Sequence, residues 1–128
     1  MMTENEIGTV IVDSAIAVHR ELGPGLLEAI YEQALSWELK ERGLKAEKQV
    51  SVPIAYKAQH FDEGFRADLI VEGKVIVELK SVECIKKVHK KQIQTYLKLT
   101  DCRLGYLLNF NVPLLKDGIV RCVNGLVE

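Results

Sequence analysis

The chain of 128 residues has little of several things that mark common functions. Charge of one sign is missing: 17 Lys and Arg stand against 18 Asp and Glu, a formal net charge of -1. That balance gives no general pull toward nucleic acid or an anionic membrane, although it leaves room for a positive potential confined to one patch. Long hydrophobic runs are absent too. The composition is 48% hydrophobic, but charge interrupts every apolar segment well short of the roughly 20 residues a membrane helix needs. Residues 1–20 lack the basic start and unbroken apolar stretch of a secretory signal, so no membrane association and a cytoplasmic location are expected. Cysteine is scarce, with Cys84, Cys102 and Cys122 too far apart for a C-x-x-C pair. They read as reduced small side chains rather than a disulfide framework or a zinc knuckle. Aromatic residues offer no evident stacking platform. Gly23-Pro24-Gly25 lacks the glycine spacing and the following Lys-Ser/Thr of a phosphate loop. No Ser-His-Asp arrangement is suggested, and His19, His60 and His89 have no metal-ligand neighbourhood. No repeat or long linker divides the chain, so a single domain over residues 1–128 is expected.

What is present is a stretch from 65 to 80, FRADLIVEGKVIVELK, which reads as two short apolar strands joined at Glu72-Gly73-Lys74. Asp68 lies in the middle of the first, and the second ends Glu78-Leu79-Lys80. An ionised carboxylate in an apolar strand is costly to bury without a partner. A three-residue loop with Gly73 in the left-handed position sets Val71 opposite Val75, Ile70 opposite Ile76 and Asp68 opposite Glu78. Side chains alternate along a strand, so Arg66, Asp68 and Ile70 then share a face with Ile76, Glu78 and Lys80. The two carboxylates stand roughly 5 Å apart at Cβ, and like charges that close repel unless something neutralises them. A two-residue turn would instead shift the register and split the pair.

Periodicity places the other elements. Residues 4–20 carry Ile7, Val10, Ile11, Ser14, Ala15 and Val18 at helical spacing, with Thr3 and Glu6 as a capping box. A second helix is expected from Pro24 or Leu26 to Glu41, with Gly43 as its stop. Leu27, Ile30, Ala34 and Leu35 mark its buried side, widened by Trp37 or Leu39; Glu28 lies one turn in, with Tyr31 close to the same face. Val50, Val52 and Ile54 alternate with polar residues in a strand over 47–56, where Pro53 marks an edge position or a bulge. Residues 58–64 read as a turn with Asp62-Glu63-Gly64 at its tip, and the hairpin that follows completes a three-stranded antiparallel meander. A helix over 85–99 carries apolar Ile85, Val88, Ile93, Leu97 and Leu99, and sets His89, Gln92 and Tyr96 on one face. Its Lys86, Lys87, Lys90, Lys91 and Lys98 are either a solvated face or a surface for phosphate backbones. The strand over 104–110 is expected parallel to that of Glu78, through a right-handed crossover. A turn at 116–118, a strand at 119–123 and a tail from Gly125 end the chain.

Asp68 and Glu78 offer hard oxygen ligands suited to Mg²⁺ or Mn²⁺, and the Leu79 carbonyl and Glu28 can add to the shell. Lys80 beside the ion can orient or help deprotonate a water, or neutralise charge growing on a phosphate. Gln92 and Tyr96 would hold the water, the phosphate or the lysine. The plain alternative is a strand leaving the core, with Asp68 paired to Arg66 or Lys80 and Glu28 a solvated acid near a helix N-terminus.

Three segments together resemble a known family. The run from Gly25 through Glu28 to Tyr31 matches the motif that names the GxxExxY protein family. Phe65-Arg66-Ala67-Asp68-Leu69 and Val77-Glu78-Leu79-Lys80 resemble its central segment, and the likeness extends from about residue 7 to residue 123. That family is similar in turn to the PD-(D/E)xK nuclease superfamily. The resemblance implies an α/β fold of α+β character: a restriction-endonuclease-like core with a mixed central sheet flanked by helices, in the order α-α-β-β-β-α-β-β. It implies Mg²⁺-dependent phosphodiester cleavage, with Asp68 and Glu78 as metal ligands, Lys80 as the catalytic lysine and Glu28 as an additional acid on the first core helix. Gln92 and Tyr96 resemble the Gln-x-x-x-Tyr signature of the exonuclease-like branch. Ala67 stands where the superfamily's name has Pro. The leading reading is a small nuclease using Mg²⁺, or Mn²⁺ as a substitute, on nucleic acid, with DNA ahead of RNA. The alternatives are a non-catalytic nucleic-acid-binding, protein-binding or assembly module on the same scaffold, with a homodimer or protein partner, and a hydrolase of a small phosphorylated substrate.

Overall fold

The computed structural model describes residues 1–127. The tail expected from Gly125 includes Glu128, which lies outside the described residues. The elements follow the expected order: α1 (Glu4–Leu22), α2 (Glu28–Glu41), β1 (Ala46–Tyr56), β2 (Gln59–Val71), β3 (Val75–Lys80), α3 (Lys87–Thr100), β4 (Leu104–Asn109), a 3-10 turn (Leu115–Gly118) and β5 (Ile119–Val123). The strands form one sheet in the order β1-β2-β3-β4-β5, parallel only between β3 and β4, whose connection is α3. The architecture is a mixed, helix-flanked α+β sheet consistent with a restriction-endonuclease-like fold. Among the described residues no helix is long and apolar enough to cross a membrane.

The apolar pattern divides between two faces. Leu69, Val71, Val75, Val77 and Leu79 pack with Ile7, Ile11, Ala15 and Leu35 under α1 and α2. Ala67 and Ile76 pack with Leu97 on the side of α3. The Thr3–Glu6 capping box opens α1, so its first orphan N–H groups have partners. The β2–β3 register is the expected one, with Val71 opposite Val75 and Ile70 opposite Ile76. Glu72 and Gly73 both take positive φ in the loop, and Glu72 is secured there by accepting the Lys45 N–H at 2.6 Å.

Four expectations need correction. Helix α2 starts at Glu28, not at Pro24 or Leu26, so Glu28 is its first residue rather than one turn in. Residues 23–27 are kept out of the helix by the Tyr31 hydroxyl, which accepts the Leu26 N–H at 3.1 Å and donates to the Gly23 carbonyl at 2.5 Å. The buried stripe of α2 is therefore Tyr31, Leu35 and Leu39, while Leu27, Ile30 and Trp37 are exposed. The β1–β2 turn falls at Lys57 and Ala58, between the paired Tyr56 and Gln59, and not at 62–64. Only Leu69, Ile70 and Val71 of β2 pair with β3, so the outer half of the hairpin is wet on both faces and takes Asp62 and Glu63 without penalty. Gly64 serves packing there, since a Cβ would collide with Ile54. Helix α3 starts at Lys87, leaving Val88 exposed and Ile93 and Leu97 buried. Pro53 is both things it signalled: β1 is an edge strand, and its register shifts between Val52 and Ile54.

Gly118 is buried beneath β4, where an added Cβ would run into the Asn109 carbonyl oxygen. Gly118→Ala is expected to lower stability by about 1–3 kcal/mol, read as a lower urea midpoint with an unchanged denaturant slope.

Candidate active site

The site begins where the ladder between β2 and β3 stops, at Leu69 opposite Val77. One residue further the strands are joined through side chains. The Asp68 N–H donates to Glu78 Oε2 at 2.8 Å, and the Leu79 N–H donates to Asp68 Oδ2 at 2.9 Å. Each carboxylate thus satisfies a backbone donor of the opposite strand. Strict alternation fails here: Ala67 and Ile70, three positions apart, both pack on the α3 side. The expected common face of Arg66, Asp68 and Ile70 is interrupted accordingly, and Arg66 pairs with Glu63 at 2.7 Å.

Electrostatics mark the same two acids. Glu78 is buried, and burial followed by the charge of Asp68 pushes its carboxyl from the ordinary 4.5 up to about 8. Burial also raises Asp68, opposed by the Leu79 N–H, by Lys80 and by Gln49. Lys80 is half-buried at the end of β3, and the ion pairs among the described residues do not include it. Tyr96 lies flat on Phe65, with ring centroids 3.8 Å apart, a stack that joins residues 31 positions apart and has no signal in the sequence. Burial raises its phenol, and the charges of Glu78 and Asp68 raise it further. Gln92 is exposed one turn before Tyr96 on α3, and Lys86, Lys87, Lys90 and Lys91 are exposed around the start of that helix.

Helix α2 reaches the site through its first turn. Glu28 Oε2 accepts the Ser81 N–H at 3.0 Å, and Ser81 Oγ donates to the Leu26 carbonyl at 2.8 Å. The charge of Glu28 reaches Asp68 and helps raise it. Beyond Lys80 the backbone is clamped by β4: Phe110 N–H donates to the Lys80 carbonyl, and the Asn109 side chain holds both the N–H and the carbonyl of Val82.

Two residues of the neighbourhood escaped the sequence. Gln49 Nε2 donates to Glu32 Oε1 at 2.5 Å and reaches Asp68 Oδ1 at 3.4 Å. Burial, then the charge of Asp68, raises Glu32. The signal for Glu32 was its place four residues after Glu28 on one helix face; Gln49 carried no signal. Among the described residues, no three His, Cys, Asp or Glu side chains converge as a ready metal cage. A buried and a half-buried carboxylate that repel each other still suit a hard divalent ion that keeps several of its waters.

Glu78 supplies a test of this geometry. Its carboxyl is raised in the folded protein, so its contribution to stability is intact below about 4.5 and is lost as pH climbs toward about 8. Glu78→Gln should therefore gain stability relative to wild type progressively between those values, read from urea midpoints at stepped pH. Tyr31→Phe strands the Leu26 N–H and the Gly23 carbonyl. It should lose about 1–3 kcal/mol, seen in the same denaturation assay.

Residues 5–122 match the family model of the PD-(D/E)XK nuclease superfamily. The crystal structure of SSO0001 superposes with a TM-score of 0.51 at 23% identity, covering 98% of this chain and 59% of that one. The chain thus spans 59% of that protein's length, and at such identity the likeness concerns the fold. Among curated proteins none matches. Because the matched region holds both strands of the carboxylate pair and the helix that crosses between β3 and β4, the chain belongs to the PD-(D/E)XK nuclease superfamily.

Proposed function

We propose that the chain is a metal-dependent nuclease that hydrolyses phosphodiester bonds of nucleic acid, DNA in the first instance. The observation that carries this reading is the crossed pair of Asp68 and Glu78. Each is held to the other's strand through one oxygen, and the second oxygen of Asp68 meets only the Gln49 amide, at 3.4 Å. Asp68, Glu78, the Leu79 carbonyl and Glu28 are the groups that would hold Mg²⁺, with Mn²⁺ as a substitute. When bound, such an ion lowers the pKa of a water and polarises a phosphoryl oxygen.

The chain's own residues do the rest. Lys80, next but one after Glu78 on β3, places an ammonium group where it orients the attacking water and offsets charge growing on the phosphate. Tyr96, fixed by its stack on Phe65, and Gln92, one turn earlier, offer hydrogen bonds to the water or the scissile phosphate. Lys86, Lys87, Lys90 and Lys91, exposed around the start of α3, would supply sequence-independent contacts to flanking phosphates. Binding through them should weaken as salt rises, because phosphate contacts release counterions.

The test is cleavage in Mg²⁺ or Mn²⁺ of single-stranded, duplex, nicked and flapped DNA and of structured RNA, with Lys80→Ala and Glu78→Ala beside wild type. Wild type should cleave, and each variant should lose activity by about 10²- to 10⁴-fold. Cleavage undiminished in both variants would overturn the assignment. No cleavage of any substrate together with no Mn²⁺ binding would turn it toward the non-catalytic module.

A further inference from the structure

We propose that Gln49 is a positioning residue for the cation-binding carboxylates: a left-handed backbone in mid-strand aims its amide between Glu32 and Asp68 and holds Asp68 in place. The inference rests on the reading of Asp68 and Glu78 as cation ligands.

Gln49 has φ +52° inside β1, between the paired Lys48–Leu69 and Val50–Ala67 positions, directly across from Asp68. A residue with a Cβ enters that region reluctantly, and rarely in a strand. The other non-glycine residues with positive φ among those described are Lys57, Glu72 and Asp101, which sit in two tight turns and at a helix end, where such backbone is ordinary. Gln49 has no such excuse. An outlier of this kind beside a candidate site points to a purpose served by its side chain.

The side chain shows what that purpose is. One amide nitrogen serves Glu32 Oε1 at 2.5 Å and Asp68 Oδ1 at 3.4 Å, while the Leu79 N–H holds Asp68 Oδ2. Asp68 is therefore gripped from β1 on one side and from β3 on the other, and Glu32 on α2 anchors the β1 grip. An amide suits this place: it donates to two carboxylates yet brings no charge. A lysine here would compete with a bound cation, and a third carboxylate would repel the first two. Groups that orient a metal ligand from behind shift metal affinity without touching the ion.

The experiment measures Mn²⁺ affinity by electron paramagnetic resonance titration of the full chain, with melting temperature alongside. It compares wild type, Glu78→Ala, Gln49→Gly and Gln49→Ala. Both Gln49 variants should bind Mn²⁺ about tenfold more weakly than wild type. Gln49→Gly should melt above Gln49→Ala, because glycine accepts the left-handed backbone that alanine resists. A purely structural strap would tie affinity to stability, so the loss should be the same in both variants despite their different melting points. If wild type binds Mn²⁺, Glu78→Ala does not, and both Gln49 variants stay within about twofold of wild type, this inference falls and the nuclease reading stands. If wild type and Glu78→Ala are alike in failing to bind Mn²⁺, both fall together.

Discussion

Two part-buried strand N–H groups, those of Asp68 and Leu79, have to find acceptors at the point where β2 leaves β3, and most of the site follows from how they do so. A buried backbone donor without a partner is a large local penalty. The chain meets the requirement with carboxylates from the facing strand. The groups that complete the sheet are thus the groups that carry charge into its interior, and neither acid can move without undoing a backbone bond. Burial first, and then the repulsion built in by the same arrangement, pushes the Glu78 carboxyl well above the usual carboxylate range.

The surroundings are wired to this point through a few contacts. Tyr31 stacks on Phe110 with ring centroids 4.4 Å apart, while its hydroxyl fixes the loop ahead of Glu28. A single side chain therefore packs the core and sets where α2 begins. His19 Nε2 lies 2.8 Å from the Val112 carbonyl and 3.2 Å from that of Phe110, tying α1 to the segment after β4. With the Asn109 clamp on Val82 and the Glu28 bond to Ser81, the backbone beyond Lys80 is held from α2 and β4 at once. Pre-set geometry of this sort is what positional chemistry requires.

Much of this was readable from residue order because it rests on local rules. The register of β2 and β3 follows from a three-residue loop, and the parallel β3–β4 pair follows from a helix-length connection. Thr3 and Glu6 satisfy each other within one turn, so their cap is visible in the sequence. The failures share a different cause. Leu27, Ile30 and Trp37 look like core by composition, but a hydroxyl bond across eight residues, from Tyr31 to Gly23, sets the helix start and turns them outward. Asp62 to Gly64 has turn chemistry and lies in a strand, because the hairpin projects past β3 where no core rewards apolar residues. Gln49 is invisible in principle: its backbone state depends on partners 17 and 19 residues away.

The irregularities of β1 have a bearing on the protein's behaviour in a crowded solution. An outermost strand displays unpaired N–H and C=O groups that another chain can zip onto. Here that row is broken twice within five residues, once by the left-handed turn of backbone at Gln49 and once by Pro53, which has no N–H and sits at the register shift. No run of regular edge survives between them long enough to template a second strand. The device that aims a side chain inward thereby denies fibrous polymerisation a starting point along the same side of the sheet.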